Sequence, residues 1–320
     1  MKILSLSGFA PEAICDTVRF TKYNGERNIP LYCGYASDFI SQVKNDISVD
    51  GAVFPKSCDS SRSIMSYLDM EENKFLYEIS VPARQDKLAI SYFATELRNY
   101  RDALEKYFDT SILDSDILER MDFLNVRNKK IQKLYSRLEK IEYAAYLKDI
   151  HNMLQLPLRE QVDYMFEGRA ANEGIPVYIV GSFLSNLSIA EVIERAGLNV
   201  VGDNLPESGR LVSTPHFAAE EDVFMEIAKT QLSARLSPTQ NNFKSILACD
   251  MNQIRECHAK GVVFVVQKYC EPYQYLYSVY EKRLKQLDIP YTKLAVTDTE
   301  DDGKASLVLE TFAELLEGRK

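Results

Sequence analysis

The clearest pattern along the chain is a set of short, wholly apolar runs, each followed by an amphipathic stretch. Gly51-Ala52-Val53-Phe54-Pro55 leads through Lys56-Ser57-Cys58-Asp59 into the helical pattern of Ser61 to Leu68. Far downstream, Gly261-Val262-Val263-Phe264-Val265-Val266 leads through Gln267-Lys268-Tyr269-Cys270-Glu271 into that of Tyr275 to Leu287. Each copy has a Gly, a strand-length apolar run, a Lys, a Cys and an acidic residue before its helix. Such runs, bounded by turn signals and followed by helices, indicate buried parallel strands in an α/β fold. A second echo agrees. Ile29-Pro30-Leu31-Tyr32 and Ile175-Pro176-Val177-Tyr178 each open a strand, and Ile289-Pro290-Tyr291 opens the last; Pro is tolerated at a strand's first residue.

Between these halves the period changes from strand-like to helical. Ile90, Phe93, Leu97, Tyr100, Leu104 and Tyr107 recur at spacings of three and four, and Ile131, Leu134, Leu138, Ile141 and Ala145 do the same. Each set predicts one core-packed helix face. The second half continues as strand–helix units: a strand over Pro176 to Val180, a helix over Ser188 to Ala196 closed by Gly197, and a strand over Leu198 to Val201. Helices over Phe217 to Leu232, Asn252 to Ala259 and Ala305 to Leu316 complete it. The expected organisation is an α/β domain at 1–85, a helical connecting region at 86–173 and a second α/β domain at 174–320.

Composition narrows the function classes. The 320 residues fit a prior of about 100–200 per domain. With 38 Lys+Arg against 47 Asp+Glu the net charge is −9, and no basic stripe offsets it, which argues against nucleic-acid binding. No apolar run approaches the roughly 20 residues of a membrane span, and the N-terminus lacks a signal-peptide h-region, so a cytoplasmic protein is expected. In that compartment six cysteines are not read as a disulfide framework. Neither G-x-G-x-x-G nor a Walker-type loop appears, so nucleotide binding by the standard loops is not supported.

The chemistry therefore rests on the thiols. Cys257-His258 with Cys249 resembles a fragment of a zinc site but lacks the paired C-x-x-C; buried structural roles suit Cys249, Cys257 and Cys15 better. His151 and His216 show no partner, and core or surface placement suits both. Cys33, Cys58 and Cys270 differ, because each follows a predicted strand and opens a loop where ligands of open α/β sheets bind. A thiolate near a helix N-terminus has a depressed pKa and is suited to bind metal. Three such thiolates on an iron–sulfur cube leave one iron open to a water or substrate oxygen. The same spacing also fits three unrelated thiols.

These segments resemble, through nearly the whole chain, the 2-hydroxyacyl-CoA dehydratase and benzoyl-CoA reductase subunit family. The likeness runs in order through Pro11-Glu12-Ala13-Ile14, Cys33-Gly34-Tyr35-Ala36-Ser37, Asp50-Gly51-Ala52-Val53 into Ser57-Cys58-Asp59, and Val81-Pro82. It continues through Ala196 to Val201, Asp203-Asn204-Leu205 and Ser208-Gly209-Arg210, and is most specific at Gly261 to Tyr273. The resemblance implies two similar Rossmann- or flavodoxin-like parallel-sheet domains joined by helices. It implies a [4Fe–4S] cluster held by Cys33, Cys58 and Cys270 in the cleft between them. It also implies a homologous second subunit, identical or different, and an ATP-dependent iron–sulfur activator. The implied reaction is reductive dehydration of a 2-hydroxyacyl-CoA through a ketyl radical. The alternatives are ATP-driven reduction of an aromatic acyl-CoA or other small molecule, and a non-catalytic cluster carrier or ligand-binding protein. Ser37, Ser182 and Arg210 are the candidate pocket residues, although capping and turn roles explain each equally well. Leu205-Pro206-Glu207-Ser208-Gly209-Arg210 departs from the family, since many members carry a Cys in that loop. The Gln and Arg usual before the last helix are also missing from Gly303 to Leu307.

Overall fold

The computed structural model describes every residue except 7–10, 24, 26–32, 69–73, 172, 219–221, 235–236, 241, 297–301 and 320, and only the backbone of residue 302. In chain order the first elements are β1 (Ile3–Ser5), β2 (Thr17–Arg19), α1 (Gly34–Asn45), β3 (Gly51–Pro55), α2 (Asp59–Leu68) and β4 (Phe75–Ile79). Helices α3 (Lys87–Phe108), α4 (Asp114–Tyr135), α5 (Tyr143–Leu154) and α6 (Leu158–Asp163) follow. Then come β5 (Ile175–Gly181), α7 (Ser188–Arg195), β6 (Leu198–Asp203), α8 (Gly209–Val212), α9 (Val223–Ser233) and α10 (Phe243–Glu256). β7 (Gly261–Gln267), α11 (Glu271–Gln286), β8 (Tyr291–Val296) and α12 (Asp302–Glu317) complete the chain. The strand expected at 29–32 lies outside the described residues. Among the described residues no helix is long and apolar enough to cross a membrane.

Two compact units emerge. The first comprises Met1–Ile131, Asn152–Tyr164 and Ser213–Asn241; the second comprises Gln132–His151, Met165–Val212 and Asn242–Lys320. Each holds a four-stranded parallel sheet, in order β2-β1-β3-β4 and β6-β5-β7-β8 respectively. The expected pair of similar α/β halves is therefore present, with the same strand order in each.

In the first unit, alternation along the strands explains why the apolar runs are unbroken. Ile3, Val53, Phe75 and Ile79 pack with Phe93, Leu97 and Tyr100 of α3 and with Phe224 and Ile227 of α9. Leu4, Ala52 and Phe54 point the other way, onto Phe39 and Val43 of α1 and Ile64 and Leu68 of α2. A strand covered on both faces needs apolar residues at every position. Helix α3 starts where the Asp86 carboxylate accepts the Ala89 amide, 3.0 Å, an N-cap worth about 1 kcal/mol. Helix α9 starts later than the sequence predicts, at Asp222, whose carboxylate accepts the amides of Phe224 and Met225.

In the second unit β7 is buried at all seven positions. Its first residue, Gly261, admits no larger side chain unless Phe312 of α12 moves, since a Cβ would stand 2.7 Å from that ring. At the matching Gly51 of β3 a Cβ would stand 2.5 Å from the backbone oxygen of Phe75. The echoed glycines thus answer the same need for close approach.

One predicted helix is corrected. The stripe from Ile131 to Ala145 is not a single helix face. α4 ends at Tyr135, Leu138 is buried in a short 3-10 turn, Ile141 bridges to Ala170, and α5 begins at Tyr143. Successive short elements that each bury an apolar residue reproduce helical spacing without being one helix. The segment Asn252 to Ala259 likewise proves to be the end of a longer helix that starts at Phe243.

Candidate functional site

In both sheets the first strand is followed by a neighbour on one side and, later, by a neighbour on the other. The strand order reverses between β1 and β3, and again between β5 and β7. Ligands of open α/β sheets bind outside the carboxyl ends of the strands at such a reversal. Cys58 follows β3 and Cys270 follows β7 at these ends.

In the first unit the chain leaves β3 and turns at once into α2. Cys58 is the residue before that helix, and the Arg62 amide donates to its carbonyl, 2.9 Å. The Ser61 hydroxyl reaches back, accepting the Cys58 amide at 3.0 Å and donating to the Cys58 carbonyl at 3.0 Å. This is the reverse half of a capping box with Ser at its third position. Cys33 is the N-cap of α1, and the Ser37 amide donates to its carbonyl at 3.0 Å. No loop separates either cysteine from its helix, contrary to expectation. Burial pushes the Cys33 thiol up to about 11; the Ala36 amide opposes this, the nearby Cys58 adds to it, and the Ser60 hydroxyl and Tyr35 amide oppose it. The first unit therefore brings two thiols together, each at the positive end of a helix. Ser37 lies in the first turn of α1 and is buried.

In the second unit Cys270 is the N-cap of α11, with Pro272 in the first turn, where the missing N–H is no loss. A turn closed by the Cys270 amide on the Gln267 carbonyl, 3.1 Å, carries the chain from β7 to this cap. It holds Tyr269 at φ 66°, the left-handed region that a non-glycine residue rarely occupies. Among the described residues no group of three or more His, Cys, Asp or Glu converges on one metal-ion position. Cys15 is buried, but Cys249, within α10, and Cys257, its C-cap, are only half-buried.

Around Cys270 the second unit assembles a polar cluster. The Ser182 hydroxyl accepts the Gln267 amide at 3.4 Å, tying the ends of β5 and β7 together. The Gln267 side chain donates to the Phe183 carbonyl, 3.0 Å, and to Ser185, 3.3 Å. Arg210, on α8, donates to the Tyr273 hydroxyl and lies over its ring. Burial pushes the Tyr273 hydroxyl up; the Arg210 charge opposes this, while Cys270 and Glu207 add to it. Arg210 and Cys270 thus share Tyr273 as a neighbour, and Ser182 reaches the same strand end through Gln267.

A family model described as "2-hydroxyglutaryl-CoA dehydratase, D-component" matches residues 2–316. The chain belongs to the 2-hydroxyglutaryl-CoA dehydratase D-component family. One of the subunits of the benzoyl-CoA reductase of Thauera aromatica is 22% identical over 292 residues, covering 83% of this chain and 74% of its own. The beta subunit of (R)-2-hydroxyglutaryl-CoA dehydratase of Acidaminococcus fermentans is 20% identical over 316 residues, covering 89% and 81%. Both relatives are thus parts of larger enzymes. Sequence reasoning does not single out Glu207, His151, Gln267 or Tyr273 for chemistry. Tyr273 stands in the most specific motif and Glu207 in the loop that departs from the family pattern, so both are within its reach. Of the two histidines without a visible partner, His151 is buried and His216 exposed.

Proposed function

We propose that this chain is the catalytic or electron-transferring subunit of a reductive 2-hydroxyacyl-CoA dehydratase, with Cys33, Cys58 and Cys270 holding a [4Fe–4S] cluster. The observation that carries this reading is that each of the three thiols stands at the start of a helix, two of them after the same strand of matching sheets. The donor set fits. Thiolates on a cube each bind a different iron, so they need no common ion position. Helix N-termini favour the thiolate, and a bound cation offsets the burial that otherwise keeps Cys33 protonated. When bound, the cluster would supply an open Lewis-acidic iron for a thioester oxygen and a one-electron relay.

The rest falls to this chain. Ser182 and Gln267 hold the ends of β5 and β7 at a fixed spacing, so the Cys270 thiol is presented from a rigid edge. Arg210 clamps Tyr273 and fixes the first turn of α11. A homologous second subunit, identical or not, and an ATP-dependent iron–sulfur activator complete the proposed system. Ser37 and Ser182 are proposed to line the substrate site near the thiols. A second reading, ATP-driven reduction of an aromatic acyl-CoA, is favoured by the likeness to the benzoyl-CoA reductase of Thauera aromatica.

The test is spectroscopic. Anaerobically purified protein is titrated with a 2-hydroxyacyl-CoA and with benzoyl-CoA while its visible and EPR spectra are followed. A spectrum that responds to the hydroxy thioester supports dehydration, and one that responds only to benzoyl-CoA transfers the assignment to the second reading. A cluster indifferent to both overturns the catalytic role.

A further inference from the structure

Among the polar groups of the second unit that are buried with hydrogen-bonding capacity left over, Glu207 and His151 stand side by side. Glu207 is 1% exposed and His151 4%. One Glu207 oxygen, Oε1, accepts the Leu184 amide at 2.8 Å; the other, Oε2, has no hydrogen-bond partner among the described residues, and neither has His151 Nε2. The imidazole nitrogen stands 3.7 Å from Glu207 Oε1, too far for a hydrogen bond. Its ring is held by stacking on Phe183, with centroids 5.1 Å apart and planes 18° apart. Leaving a buried polar atom unsatisfied is unfavourable, so this pair is held at a cost that a suitable ligand group would offset.

Its position narrows the ligand. Glu207 lies just past the carboxyl end of β6, and Phe183 and Leu184 lie just past that of β5. Arg210, three residues after Glu207, donates to the Tyr273 hydroxyl, and Tyr273 lies in the first turn of the helix that Cys270 caps, so Glu207 stands in the loop that leads, through Arg210, to the thiol's helix. A carboxylate oxygen accepts only, while an imidazole N–H donates. The group that satisfies both at once accepts one hydrogen bond and donates one, as an alcohol hydroxyl does. An aromatic acyl group offers no such hydroxyl.

We infer that Glu207 and His151 form a subsite that grips the 2-hydroxyl of the acyl substrate, Glu207 Oε2 accepting from it and His151 Nε2 donating to it. The inference rests on the proposed acyl-CoA function and selects, within it, hydroxyacyl over aromatic substrates. A site built to bond a hydroxyl discriminates strongly against the analogue that lacks it, because its own polar groups are then left unpaired.

The test compares (R)-lactoyl-CoA with propionyl-CoA, which differ in that hydroxyl, by calorimetry on the full-length protein purified anaerobically. The expected preference for lactoyl-CoA is at least about tenfold. Glu207→Gln keeps an oxygen for the Leu184 amide but turns the second acceptor into a donor; His151→Asn shortens the other arm. Either variant is expected to bring the ratio to within about twofold while leaving propionyl-CoA affinity unchanged, which a merely structural role would not do. Equal binding of both thioesters by the wild type overturns this inference alone. Retention of the preference in both variants does the same. If neither thioester binds, the acyl-CoA reading falls and the inference with it.

Discussion

The first unit carries Cys58 out of β3 through a turn with no left-handed residue, and a serine hydroxyl secures the helix start. The second carries Cys270 out of the equivalent strand β7 through a turn that forces Tyr269 to φ 66°. Their surroundings differ as well. The first unit adds a second thiol, Cys33, and pairs its buried Glu12 with two guanidinium groups, Arg127 at 2.8 Å and Arg19 at 2.5 Å. The second adds a polar cluster and leaves Glu207 and His151 incompletely bonded. The first unit pairs a buried carboxylate with two guanidinium groups, while the second sets a left-handed residue directly beside Cys270 and leaves the neighbouring carboxylate and imidazole incompletely bonded, features that functional sites tend to gather.

The largest effect expected from breaking this contrast comes from Glu12→Ala. It strands two buried guanidinium groups and is expected to cost about 3–5 kcal/mol, read as a lower denaturation midpoint of the segment containing the first sheet. Next comes acid response, where the units are expected to oppose each other. Burial alone would raise the Glu12 carboxyl, but Arg127 and Arg19 overcome it and hold it at about 2. Its folded pKa is below its ordinary value of 4.5, so its contribution is complete above about 4.5 and is lost as pH falls towards 2. In the second unit, burial first and the Glu142 charge in support lift Glu194 to about 7, against the Tyr143 amide. A raised carboxyl stabilises below its ordinary value and loses that contribution as pH rises from about 4.5 to 7. Hydrogen exchange followed across the acid-to-neutral range should show protection falling on acidification around Glu12 and rising around Glu194. Glu194→Gln should flatten only the second trend.

Smaller effects distinguish the two cysteine turns. Ser61→Ala removes the reverse cap and is expected to destabilise by about 1 kcal/mol. Tyr269→Gly relieves the left-handed strain and is expected to be neutral or to stabilise by up to about 1 kcal/mol. Urea denaturation midpoints check both signs, and two losses of equal size would remove the distinction.

How much of this is readable in the sequence follows from the same physics. β3 and β7 are legible because strands covered on both faces are apolar at nearly every position, with Gln267 at the end of β7 the exception, and the cysteines after them stand out because turns follow such runs directly. The break between α4 and α5 is hidden because Leu138 keeps the apolar spacing across it. The half-exposure of Cys249 and Cys257 is hidden because a cysteine in a helix carries no mark of which face it occupies. Arg210 is found by motif, but its partner Tyr273 and the pairing of His151 with Glu207 are long-range contacts that no local periodicity encodes.

The central claim is that the three thiols at helix starts share one cluster. Iron and acid-labile sulfide, counted on anaerobically purified wild type beside Cys33→Ala, Cys58→Ala and Cys270→Ala, test it most directly. The account predicts about four of each per chain in the wild type, with the EPR signal lost in every variant. A wild type that takes up no iron on anaerobic reconstitution, or a cluster that survives loss of Cys270, would contradict it.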